Sequence, residues 1–138
     1  MSLEEKQQSL IDDLNIIQDP HERLNAVVMR GRSTKLEEAH KVEANLVPGC
    51  VSRVWLHGEM VDGRTRFVCE AESPMVQGLA ALLCELYTDA DPAEVAAVEP
   101  RVWESCSFTK MLSPTRLNGL ANMRGKIRQM ANEFTSAS

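Results

Sequence analysis

The chain has 138 residues, 43% apolar and 25% charged, which excludes a disordered, collagenous or coiled-coil protein and suits one domain with a core of its own. A formal charge of −5 and an aromatic content of 4% argue against a nucleic-acid groove or a base-stacking platform. The charge is uneven: residues 1–100 hold 9 Lys and Arg against 18 Asp and Glu, residues 101–138 hold 6 against 2, a pattern expected of a solvated basic helix on an acidic domain.

Ser2 and Glu5 have capping-box spacing and open a helix over about 2–17, with Leu3, Leu10, Ile11, Leu14 and Ile17 on one face. Asp19-Pro20 starts a second helix, which Gly31 stops. Residues 32–49 have no period and read as a long ordered loop, of a length that usually carries function. A strand follows over about 51–57, then the turn dipeptide Asp62-Gly63 and a return strand over 64–69; the 57–62 stretch leaves room for a third strand.

Ser73-Pro74 caps a third helix, whose Met75, Val76, Leu79, Leu82, Leu83 and Leu86 make it apolar on more than one side, the mark of a buried helix. Asp91-Pro92 caps a short helix ending near Val98. Ser113-Pro114 starts the last helix, with Leu117, Leu120, Met123, Ile127 and Met130 as its stripe and 135–138 as a fraying tail. The order gives an α+β fold: a small antiparallel sheet with helices packed on one face.

No apolar run reaches the ~18 residues of a membrane span. The polar, acidic start is unlike a signal peptide, so a cytoplasmic protein with reduced cysteines is expected. Cys50, Cys69, Cys84 and Cys106 form no CxxC pair. His21, His40 and His57 are scattered, and no HExxH, GxSxG or phosphate-loop pattern is present. Gly119 and Gly125 each cost the last helix about 1 kcal/mol relative to Ala, which close packing or a bend would explain.

Cys50 stands apart from the other thiols. It follows Pro48-Gly49 at the tip of the long loop, where glycine allows a backbone that presents the thiol away from the core. Cys84, after Leu82-Leu83 in the buried helix, is expected to be structural, and Cys69 and Cys106 are expected to be small buried hydrophobes.

Gly49-Cys50-Val-Ser52-Arg53-Val54-Trp55 resembles the motif around the acceptor cysteine of SufE-type sulfur acceptors. Val76-Gln-Gly78-Leu79 and Leu112-Ser113-Pro114-Thr-Arg116-Leu-Asn118-Gly119-Leu120 resemble two further motifs of that family in order and spacing, and the likeness covers about 10–132. Glu72 and Asn118 replace an Asp and a Gln common at those places.

The resemblance implies a fold related to the IscU scaffold and a role for Cys50 as acceptor of persulfide sulfur from a pyridoxal-phosphate-dependent cysteine desulfurase. It also implies stimulation of that desulfurase, delivery to an iron–sulfur cluster scaffold, and no cofactor of the chain's own. Gly49 and Ser52 flank the thiol; Arg53 and Arg116 are candidate cations for its thiolate or for partner contact, with 32–55 and the start of the last helix as the docking surface. A loop that tucks Cys50 against apolar residues and then swings out would protect a persulfide. The rival reading is an iron–sulfur or zinc scaffold built on Cys50, Cys69 and Cys106, with His57 near them in sequence.

Overall fold

The computed structural model describes residues 1–137. α1 (Leu3–Asn15) begins in the expected capping box, and α2 (Pro20–Gly31) is capped by the Asp19 carboxylate. β1 (Val54–Val61) and β2 (Arg64–Ala71) form a two-stranded antiparallel sheet in which Leu56 faces Cys69 and Gly58 faces Phe67. α3 (Pro74–Tyr87), α4 (Pro92–Ala97), the single-turn α5 (Val102–Ser105) and α6 (Pro114–Ala137) complete the chain.

Three expectations are corrected. The first strand starts at Val54 rather than 51, because Arg53 is drawn into a clamp with Glu72 before the ladder begins. It then runs unbroken to the turn, where Asp62 (φ 52°) and Gly63 (φ 77°) both take the left-handed conformation a tight hairpin needs, so no third strand is cut from 57–62. The last helix continues through 135–137; Ser138, the end of the expected tail, lies outside the described residues.

α3 is the axis of the fold. One side packs Leu83, Cys84 and Tyr87 against the sheet's inner residues Val54, Leu56, Phe67 and Cys69 and against Met123 and Ile127 of α6. Its other side packs Leu79 and Leu82 against Ile11, Leu14, Leu24 and Val27 of the first two helices and against Phe108. α2 crosses α3 where a Cβ on Gly78 would come within 2.6 Å of the Val28 Cα; glycine is required there for the backbones to touch.

The sheet's outer face carries a strap, the unperiodic loop after α2. Two 3₁₀ turns (Glu38–His40 and Glu43–Asn45) give it form. Lys41 pairs with Glu70 at 2.8 Å and lies over the Trp55 ring, and Leu46 bridges to Trp55. His40 stacks on His57, with ring centroids 3.7 Å apart and planes 9° from parallel.

Burial first, and the neighbouring His40 second, hold the His57 imidazole below its ordinary range, against the opposing pull of Glu59 and Glu37. The folded state therefore disfavours the proton that the unfolded chain accepts below about pH 6.5. Stability from this source is complete above that pH and declines as the pH falls through it. Urea titrations of wild type and His57→Phe between pH 5.5 and 7.5 are expected to diverge on the acid side, with the wild type losing more; parallel curves would remove His57 as the cause.

Candidate functional site

Three elements meet at Cys50. The strap's last residues lead into it, β1 leaves just after it, and the first turns of α6 lie against it. Val47 N–H donates to the Val54 carbonyl at 2.8 Å, closing the loop's base, and Glu72 N–H donates to the Arg53 carbonyl at 3.1 Å. Between these anchors, the backbone of 48–52 turns at Pro48-Gly49 and has no hydrogen bond to another element among the described residues. Gly49 (φ 75°) takes the left-handed conformation at the tip.

The Cys50 side chain is half-buried, and its Sγ donates to the Gly119 carbonyl of α6 across 3.8 Å. A Cβ on Gly119 would lie 3.2 Å from that sulfur, so the glycine that weakens the helix lets the thiol approach its backbone. Gly125, by contrast, faces open space.

Beneath and beside the thiol is a cavity of about 280 Å³, walled by Val54, Val76, Leu79, Leu120 and Met123 and bordered by Val51, Ser52, Ser73, Ser113, Thr115 and Arg116. The Cys50 thiol is pushed up from its ordinary pKa by burial alone. In this closed position it is the protonated thiol, a poor nucleophile.

The two candidate cations are placed differently. The Arg53 guanidinium is held by Glu72 at 2.9 Å and lies over the Trp55 ring, 5.2 Å from its centroid, so its charge is already matched. Arg116 borders the cavity, has no carboxylate partner among the described residues, and has a buried Nη1 without a hydrogen-bond acceptor. Its backbone N–H is capped by the Ser113 hydroxyl at 3.2 Å. Gly49 is exposed beside the thiol, and Ser52 lies on the cavity's border.

The scaffold ligand set is not assembled. Cys69 is fully buried on the sheet's inner face and Cys106 is fully buried in the other half of the core, among α1, α2 and Phe108. Among the described residues, no three His, Cys, Asp or Glu side chains are grouped to hold a metal ion. Strand and helix packing, not ligand geometry, decides where those thiols sit. Cys84 is buried as expected; its hydrogen bond with Cys69, and then burial, push its thiol well above the ordinary range.

Sequence reasoning missed two buried polar residues that join elements, one of them beside the site's strand and strap and one in the other half of the core. Gln77 accepts from Ala71 N–H at 2.6 Å and donates to the carbonyls of Gly31 and Thr34, joining the end of β2, the end of α2 and the start of the strap. Arg23 donates to the carbonyls of Leu14, Ile17, Gln18 and Cys106. The polar residue inside the apolar run 74–87 was a signal for the first; Arg23 had none.

The SufE family, described as an Fe-S metabolism associated domain, matches residues 8–131. An uncharacterized SufE-like protein of Synechocystis is 30% identical over 117 residues, 84% of this chain and 74% of that one. The chloroplastic/mitochondrial SufE-like protein 1 of Arabidopsis thaliana is 32% identical over 121 residues, 86% of this chain and 32% of that longer protein. The solution structure of a hypothetical protein from Thermus thermophilus superposes with a TM-score of 0.78 at 17% identity, over 95% of this chain and 96% of that one, which establishes the α+β fold. No helix among the described residues is long and apolar enough to cross a membrane.

Proposed function

The chain belongs to the SufE family, associated with Fe–S metabolism, and from that premise we propose that it is a sulfur acceptor whose Cys50 takes persulfide sulfur from a pyridoxal-phosphate-dependent cysteine desulfurase. The observation that carries this reading is the placement of Cys50: a thiol at the tip of a loop that no backbone hydrogen bond ties to another element among the described residues, resting over an apolar cavity. Such a site can shelter a sulfane sulfur from water and oxidants and then present it.

In the transfer, Cys50 Sγ loses its proton to solvent and attacks the outer sulfur of the partner's cysteine persulfide. A new S–S bond forms at Cys50, the partner's S–S bond breaks, and the partner's thiolate leaves with the electron pair and takes up a proton. No net oxidation occurs and the chain needs no cofactor of its own. Because burial alone raises the Cys50 pKa, moving the loop into contact with the partner also makes the thiolate accessible. The sulfur then passes to an iron–sulfur cluster scaffold, in the cytoplasm.

Arg116 fits the partner-facing border of this site. A buried guanidinium N–H without an acceptor is costly, and an acceptor group on the docked desulfurase would satisfy it. Arg116→Ala is expected to lower desulfurase stimulation about tenfold at subsaturating concentration with a nearly unchanged melting temperature. A lower melting temperature, with stimulation lost only in proportion to unfolded protein, would make Arg116 structural.

The function itself is tested by alanine release from cysteine by such a desulfurase, with and without the chain. A rate that rises and saturates with added chain is expected; an unchanged rate would overturn the role as desulfurase partner.

A further inference from the structure

Val51 is the most exposed large apolar residue of the chain, at 88%, yet it is joined directly to Cys50 and borders the apolar cavity beneath it. The segment bends at Val51-Ser52, and the two side chains part there: the Cys50 sulfur reaches the Gly119 carbonyl while Val51 stands in water. In the closed loop the thiol therefore faces α6 while the valine faces water. Turning the segment about its ends reverses the two.

The ends suit such a turn. Gly49, at φ 75°, is a residue that crosses between left- and right-handed backbone without steric cost. At the other end, Arg53 is tied to Glu72 by both backbone and side chain. Between them no backbone hydrogen bond to another element has to break, and among the described residues the one hydrogen bond that ties the loop to α6 is the long one from Sγ to the Gly119 carbonyl.

We propose that Val51 is a positioning residue of the acceptor loop: when Cys50 swings out, Val51 turns in and fills the apolar cavity that the thiol had covered. The cavity, about 280 Å³ and walled by Val54, Val76, Leu79, Leu120 and Met123, has ample room for an isopropyl group. Burying the valine offsets the exposure of the sulfur, so the open loop lies close in free energy to the closed one. The exchange also keeps water out of the core while the thiol is outside.

This inference rests on Cys50 being the working thiol, but its test does not need the desulfurase. The probe is iodoacetamide, and the readout is the rate of Cys50 alkylation in the free protein. Because the closed thiol is half-covered and held protonated by burial while the open loop frees it, the rate rises with the open population. Val51→Asn, which leaves the charge near the thiol unchanged, is expected to slow Cys50 alkylation about tenfold or more, since a polar side chain cannot enter the apolar cavity cheaply. Its melting temperature should match wild type, because Val51 is in water at rest. Val51→Ile should retain the wild-type rate.

Wild-type or faster alkylation of a stable Val51→Asn protein would overturn the exchange, and so would a slow Val51→Ile. If Val51→Asn alkylates normally but stimulates the desulfurase poorly, the valine is a partner contact and the exchange is wrong while the acceptor role stands. If the exchange is seen but the desulfurase transfers no sulfur to Cys50, the acceptor role fails alone.

Discussion

Cys50→Ser is expected to abolish sulfur uptake and to return cysteine-dependent turnover of the partner desulfurase to its basal rate. The hydroxyl is nearly the size of the thiol, and the side chain's one polar contact is the long one to the Gly119 carbonyl, so the fold should be retained. The change removes the nucleophile: a serine hydroxyl does not ionise near neutral pH and does not attack a sulfane sulfur at a useful rate. A melting temperature within about 2 °C of wild type should accompany the loss, because a half-buried site without strong hydrogen bonds contributes little to stability. Binding to the desulfurase should persist, which makes the variant an inhibitor of the wild type. Undiminished stimulation by Cys50→Ser would mean that the chain activates its partner without carrying sulfur.

The second large effect is on stability. Arg23 is 6% exposed and its guanidinium donates to four backbone carbonyls, three at the end of α1 and the turn after it and one at Cys106. The carbonyls at a helix C-terminus run short of donors within the helix, and here one side chain serves Ile17 and Gln18 and adds to the backbone N–H that Leu14 already receives. Arg23→Met keeps the apolar stem; the Leu14 carbonyl retains the Ile17 N–H, but the oxygens of Ile17, Gln18 and Cys106 lose the donor that Arg23 supplies. A loss of about 3 kcal/mol is expected, the cost of stranding several buried acceptors. For a domain of this size that lowers the melting temperature by about 10 °C. Cys50 chemistry in the protein that remains folded should be unchanged. A shift of less than about 2 °C would show that water replaces the guanidinium freely.

Much of this architecture is legible in the residues because local signals agree with tertiary packing. Ser2, Asp19, Ser73, Asp91 and Ser113 each cap a helix where their spacing indicates. Asp62-Gly63 turns the hairpin through two positive φ angles. The all-round apolar pattern of 74–87 becomes a helix buried on two sides.

The strap is less legible, since its order comes from contacts distant in sequence: Lys41 with Glu70, His40 with His57, Leu46 with Trp55. No periodicity records such contacts. Val51-Ser-Arg53 alternates like a strand, but the Glu72 carboxylate competes for the Arg53 backbone and side chain and delays the ladder.

At the site, the loop-tip position of Cys50 is readable from Pro48-Gly49, and Gly119 is readable as a glycine that needs a reason. That the reason is the sulfur of Cys50 is visible only once α6 lies against the loop. Arg53 and Arg116 look equivalent in sequence; Glu72 separates them, by matching the charge of one and leaving the other without a carboxylate.

The claim at the centre of this account is that sulfur resides on Cys50. It is tested most directly by incubating the full chain with a pyridoxal-phosphate-dependent cysteine desulfurase and cysteine, trapping persulfides with an alkylating reagent, and mapping them by peptide mass spectrometry. The account predicts one added sulfur, on the peptide holding Cys50, with Cys69, Cys84 and Cys106 unmodified because each is buried in the core. Sulfur on any of those three while Cys50 stays bare, or no sulfur on the chain although the desulfurase is turning over, would contradict it.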